Sequence, residues 1–220
     1  MGLTAARLHG SKWIADAHPV ELALRNARSP KGVRTRAVQF RPGEVGLIAS
    51  LPVTNLARTV FDIGRQGAVG QAVARLDALG SATRFDVGDV VALASLYPGA
   101  RGLRLLQQAL AHYDPGAQSP RETWLRLLIV NAGFPRPRTQ IPVSRYYLDM
   151  GWEDIKLAAE YDGDHHRTDR TQFARDIRRL EELSDLGWTI IRVAADTRRD
   201  EVIGRLRRSW AARTDSATAS

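Results

Sequence analysis

The chain has 220 residues, 44% hydrophobic and 25% charged, which is enough for one large domain or two small ones with working cores. It holds no cysteine and a formal charge of +8, so disulfides, thiol catalysis and Cys-based zinc sites are excluded and a polyanionic partner is favoured. No apolar run approaches the ~18 residues of a membrane span and no secretory leader pattern opens the chain, so a cytoplasmic location is expected.

From Met1 to about Leu51 the sequence reads as short extended pieces, such as Pro19 to Leu24 and Val33 to Phe40, with Arg41-Pro42-Gly43-Glu44 as a turn signal. Met1 to Gly10 carries no entry signal of its own, which reads as a shortened start. From Thr54 to about His112 apolar residues fall at helical spacing, Leu56, Val60 and Ile63, then Val73, Leu76 and Leu79. Thr54 is the expected cap, and Gly64, Gly80, Gly99 and Gly102 punctuate the helices. No catalytic constellation falls in this half.

The boundaries expected are an α+β region at 1–113, a linker at 114–118, a second domain at 119–213 and a disordered tail at 214–220. The second domain should open with a helix from Pro120 to Asn131, followed by extended segments from Gln140 to Met150 and Lys156 to Asp162. A helix from about Asp169 to Leu186 follows, with Phe173, Ile177, Leu180 and Leu183 as its buried stripe. Gly187 stops it, a buried strand runs from Trp188 to Val193, and a last helix spans Arg198 to Ala212. The alternation defines an α/β fold. On the long helix Arg175, Arg178 and Arg179 should lie on or near the solvated side, pairing with Asp176, Glu181 and Glu182.

Side chains alternate along a strand, so Lys156, Ala158, Glu160 and Asp162 share one face. A turn near Trp152 to Asp154 sets Asp149 opposite Ala158 on that same face, about 7–8 Å from Glu160 across the ladder. Three neighbouring carboxylates repel unless a cation or protons compensate them, which points to Mg²⁺ or Mn²⁺. Such an ion polarises a phosphoryl oxygen and acidifies a bound water. His165 and His166 follow at once and suit proton transfer near neutral pH, one of them at most facing the site. Each acid also has a plainer role: Asp149 beside a turn, Asp162-Gly163 as a turn, and Glu122 closing a capping box with Ser119.

Asp149, Glu160 and Asp162, the helix bearing Ser119-Pro-Arg-Glu122, and the phrase Leu186-Gly-Trp188-Thr-Ile-Ile-Arg192-Val together resemble the very-short-patch-repair-like endonuclease domains, a branch of the PD-(D/E)xK nucleases. The resemblance covers about Ser119 to Leu206. It implies a restriction-endonuclease-like α-β-β-β-α-β core and Mg²⁺-dependent hydrolysis of DNA. It further implies Asp149 and Glu160 as metal ligands, Asp162 where that superfamily usually has lysine, and Glu122 approaching from its helix. Lys156 is about 13 Å along the strand from Glu160, so Arg170 or Arg175 is expected to take the lysine's part toward the phosphate. Upstream, Leu51-Pro-Val-Thr54-Asn-Leu-Ala-Arg58-Thr59-Val-Phe-Asp62 and Ala72-Val-Ala-Arg-Leu-Asp77 resemble the region preceding such a domain in AbiEi-type antitoxin-like proteins. That likeness leaves a second expectation open, a DNA-binding regulatory protein with an inactive nuclease fold.

Overall fold

The computed structural model describes residues 1–24, 29–163 and 170–218, with the side chains of 170–174 and 216–218 outside the description. The chain divides into two compact units, Met1–Thr123 and Trp124–Ser220. The division falls inside a helix, and the 114–118 segment expected as a linker belongs to the first unit. There Asp114 N–H donates to Asp77 Oδ1 at 2.8 Å and Ala117 is buried.

The first unit begins with a helix, α1 (Gly2–Leu8), where extended structure was expected. Strands β1 (Val20–Ala23) and β2 (Val33–Arg36) pair in parallel, and β3 (Val45–Ile48) pairs antiparallel with β4 (Leu51–Thr54). Four helices follow: α2 (Leu56–Gly64), α3 (Val69–Thr83), α4 (Val87–Ser95) and α5 (Leu103–His112). Asn55, not Thr54, caps α2, its side chain accepting from Arg58 N–H at 2.8 Å. Thr54 instead ends β4 and shares a hydroxyl hydrogen bond with Thr59.

Every residue of α2 from Arg58 to Gly64 is buried, so its polar side chains need internal partners. Arg58 supplies them, donating to Glu44 at 2.6 Å and to Asp62 at 3.2 Å, with the Tyr97 hydroxyl donating to Glu44 at 2.5 Å.

The second unit runs in the order α6 (Pro120–Asn131, begun in the first unit), β5 (Arg138–Val143), β6 (Tyr146–Trp152), β7 (Leu157–Asp162), α7 (Arg170–Asp185), β8 (Thr189–Ala194) and α8 (Arg199–Thr218). The α/β class expected from the alternation is what the chain forms. The Gln140 to Met150 stretch is a hairpin, turning at Ser144 where φ is 54°. The last helix continues to Thr218, so residues 214–218 are helical where a disordered tail was expected.

Strand order is β5-β6-β7-β8, antiparallel except for the parallel β7–β8 pair that α7 crosses over. Two apolar clusters cover the sheet. Leu157, Ala159, Ile191 and Val193 pack with Leu125, Ile129, Val202 and Leu206 from α6 and α8, while Ala158, Leu148 and Ile141 pack with Leu183 of α7. The alternation of Leu157, Ala158 and Ala159 between them is the two-residue period of a strand. It puts Glu160 and Asp162 on the α7 side. Trp152 and Trp210 meet edge to face at 4.8 Å between centroids, and Trp124 and Trp188 are partly buried against the clusters, so these rings are core.

No described helix is long and apolar enough to cross a membrane.

Candidate functional site

The β6–β7 register differs from the expected one. Gly151 lies opposite Ala158 and Trp152 opposite Leu157, so the turn is confined to 153–156 and closed by Lys156 at φ 47°. Continuing that register sets Asp149 level with Glu160 instead of Ala158. The Tyr161 N–H donates to Asp149 Oδ2 at 2.9 Å, fixing the carboxylate against β7. On its other side the β5 ladder passes from Ile141–Leu148 to Thr139–Met150, and Gln140 between them has a φ of 50°.

Asp149, Glu160 and Asp162 line one open cavity of about 320 Å³, joined by Asp176 and Arg179 from α7 and Arg192 from β8. Glu160 is buried, and Arg179 grips it with both arms of its guanidinium, Nη1 donating to Oε2 at 3.0 Å and Nη2 to Oε1. Arg179 also donates to the Tyr147 carbonyl at 3.2 Å and lies 5.7 Å from the Tyr146 ring centre. The bonds to Glu160 raise the guanidinium's pKa above its ordinary range, against the burial that opposes its charge. Arg192 donates to Asp162 Oδ2 at 2.6 Å, an ion pair in which both side chains stay more than a third exposed.

Arg179 was expected on or near the solvated side of α7. It faces the sheet because Leu183, one turn further along, is fully buried under Ala158 and carries that helix face inward. Ile177, expected in the buried stripe, is 40% exposed, Leu180 borders the cavity, and Phe173 lies outside the described side chains. Arg175 is exposed and does not line the cavity, and the Arg170 side chain is not described. His165 and His166 lie outside the described residues. Lys156 donates to the Leu186 carbonyl at 3.1 Å and does not line the cavity.

Glu122 turns back on its own helix. Its Oε2 accepts from Gln118 N–H at 2.8 Å while Ser119 Oγ accepts from Glu122 N–H at 3.1 Å, a capping-box arrangement whose return bond reaches the residue before the N-cap. That geometry is the capping role that the sequence also offered for Glu122. Burial pushes the Glu122 carboxyl above its ordinary pKa, opposed by its hydrogen bonds with the Gln118 N–H and the Ser119 side chain.

Oxygen donors are the right chemistry for Mg²⁺ or Mn²⁺. Charge also fits: four carboxylates against two guanidinium groups leave the described lining with a formal −2. Convergence does not, because among the described residues no three acidic or imidazole side chains gather as a cation requires. Glu160 and Asp162 are each turned toward an arginine.

Residues 123–208 match the family described as REase_MTES_1575, a restriction-endonuclease-like family, which supports a restriction-endonuclease-like domain in the second unit. Two relatives, both from Mycobacterium tuberculosis, extend the match upstream. They are the uncharacterized protein MT2308 of strain CDC 1551 / Oshkosh and the uncharacterized protein Rv2248 of strain ATCC 25618 / H37Rv. Each is 30% identical over 177 residues, covering 78% of this chain and 64% of the relative. The chain thus spans somewhat less than two thirds of the length of these relatives. No solved structure matches significantly.

Proposed function

We propose that this chain is a DNA endonuclease working in the cytoplasm with Mg²⁺ or Mn²⁺, its centre the cavity of Asp149, Glu160 and Asp162. The observation that carries the reading is the formal −2 of that cavity in a restriction-endonuclease-like domain. A phosphodiester is itself an anion, so it enters such a pocket only when a cation offsets the carboxylates. One divalent ion is the matching charge. Kinship with the very-short-patch-repair-like branch belongs to the same reading.

Asp149, Glu160 and Asp162 are the residues that would hold the ion, which when bound supplies Lewis-acid polarisation and a more acidic water. The chain's own groups do the rest. Tyr161 N–H orients Asp149, and Arg192, more than a third exposed, offers a guanidinium to an incoming phosphate. Arg179 is the described cation beside Glu160, and Arg170 or Arg175 offsets charge on the phosphate in this scheme, with Asp162 standing where the superfamily usually has lysine. His165 or His166 moves a proton in this scheme. The overall charge of +8 draws the DNA backbone to the protein.

The second reading is a DNA-binding regulatory protein of the antitoxin type that has kept the fold without cleavage. The observation favouring it is that Glu160 and Asp162 are already satisfied by guanidinium groups. A plasmid nicking assay in Mg²⁺ and Mn²⁺ separates the two, with Asp149→Asn and Glu160→Ala as controls. Nicking by the wild type that both variants lose is the expected result. DNA bound in a labelled-duplex anisotropy titration without any cut establishes the regulator, and absence of both binding and cutting overturns both readings.

A further inference from the structure

The first unit carries most of the chain's charge. Residues 1–123 hold 15 lysines and arginines against 9 aspartates and glutamates, a formal +6 of the chain's +8. Five of those carboxylates, Glu21, Glu44, Asp62, Asp77 and Glu122, are buried, whereas Arg58 is the one buried basic side chain among the described residues of this unit. Its outward charge is therefore more positive still. An open cavity of about 310 Å³ lies on this surface, lined by Lys12 and Arg75 and, among the described residues, by no carboxylate. Its sign is opposite to that of the acidic cavity, so an anion can enter it without a metal.

Helical spacing builds one side of the cavity. Ala74, Arg75 and Ala78 share a face of α3, and the two alanines leave a shallow apolar floor beside the guanidinium. The segment from Lys12 to Ala15 also lines the cavity, and the chain pins that segment twice. Arg7 Nη2 donates to the Ile14 carbonyl at 2.6 Å and the Ala15 carbonyl at 3.0 Å, and Trp13 Nε1 donates to the Gln118 carbonyl at 2.9 Å. Trp13 is thus positioned, yet it remains 61% exposed, on a left-handed backbone at φ 64° that bulky residues avoid. A large aromatic fixed at the surface beside two cations is the arrangement that stacks a flat ring and pairs its attached anion.

We propose that this cleft binds single-stranded nucleic acid, with an unpaired base stacked on Trp13 and Lys12 and Arg75 meeting the phosphates that flank it. A base inside a duplex is stacked on both faces and offers neither to a protein ring, which commits the occupant to an unpaired strand. The inference goes beyond the endonuclease reading, because it assigns a nucleic-acid contact to the first unit, outside the matched residues 123–208.

A labelled oligothymidylate titrated with the full chain in EDTA, so that no strand is cut, tests it by fluorescence anisotropy, with the same strand annealed to its complement as the duplex arm. The wild type should bind the single strand more tightly than the duplex, with its tryptophan fluorescence quenched on binding. Trp13→Ala should weaken single-strand binding about tenfold, the loss of one stacked base. Trp13→Phe keeps a ring without the Nε1 bond to Gln118, so it should recover most of that affinity, which a purely structural role for the bond does not allow. Lys12→Gln should weaken binding and reduce the slope of log affinity against log salt by about 0.7, one phosphate contact on a single strand. A wild type that ignores the single strand, binds the duplex equally well, or keeps its affinity in Trp13→Ala overturns the proposal. Should Trp13→Ala lose its far-UV circular dichroism, Trp13→Phe carries the test through the quenching, and quenching that survives in it overturns the proposal. Plasmid nicking is read separately, so a wild type that nicks while ignoring oligothymidylate sinks this proposal and leaves the endonuclease reading standing.

Discussion

Replacing Glu122 distinguishes a residue that builds its helix from one that serves a metal. In Glu122→Ala the Gln118 N–H loses its acceptor at 2.8 Å and the first turn of α6 loses its acid, for which caps of this kind set a cost of about 1–2 kcal/mol. Glu122→Gln keeps a carbonyl oxygen at the same place and should keep the cap. It also removes a charge that burial disfavours. Because burial raises the folded pKa of this carboxyl, the folded state holds its proton more tightly than the unfolded chain. Glu122's contribution to stability is then fully present below the unfolded pKa and is lost as pH rises through the folded one. Glu122→Gln has no such loss, so its advantage over the wild type should widen from acid toward neutral pH. Urea denaturation of the three proteins, followed by circular dichroism at an acidic and a neutral pH, reads both effects. An alanine variant as stable as the wild type, or a glutamine variant that falls with it, refutes the capping account. A glutamine variant that folds normally but loses Mn²⁺ affinity returns Glu122 to the ligand set.

Arg58→Met should cost the first unit about 3–5 kcal/mol, because it strands Glu44 and Asp62 in the core without their cation, and an unchanged urea midpoint would count against that network. Gly151→Ala places a methyl 2.3 Å from the Leu157 carbonyl oxygen and 2.8 Å from Ala158 Cα, so the β6–β7 ladder has to part. The expected outcome is a loss of about 1–3 kcal/mol together with plasmid nicking, and a variant that melts and cuts like the wild type contradicts the register described.

The alternation of helix and strand was legible because apolar spacing changes with the element. So was the shared face of Glu160 and Asp162, since a strand's two-residue period leaves no other choice. The register was not. Glu153 and Asp154 read as turn residues and drew Trp152 into the turn with them, whereas Trp152 belongs to β6, its ring packed on Phe134 and Trp210 and its Nε1 donating to the Pro135 carbonyl. Tertiary packing decided that boundary, shifting Asp149 by two positions along β7. Arg179 was missed by treating arginines on a helix as solvated. Its signal was there: it sits four residues before Leu183, a fully buried position of α7, on a helix that must cover an acidic strand. Arg192 carried no such signal, because its meeting with Asp162 depends on the parallel pairing of β7 with β8, which only long-range structure fixes. Helix α1 escaped notice because its buried residues are small, Gly2, Ala5 and Ala6, too little apolar contrast to mark a period.

The crossover between β7 and β8 gives synthesis a built-in delay. The acidic ribbon leaves the ribosome before either of its arginines, and the roughly 30 residues from Asp162 to Arg192 take about 2–6 s at ~5–20 residues per second. Until then Glu160 and Asp162 lack one or both of the guanidinium groups that hold them in the folded chain, and the sheet waits on its last strand.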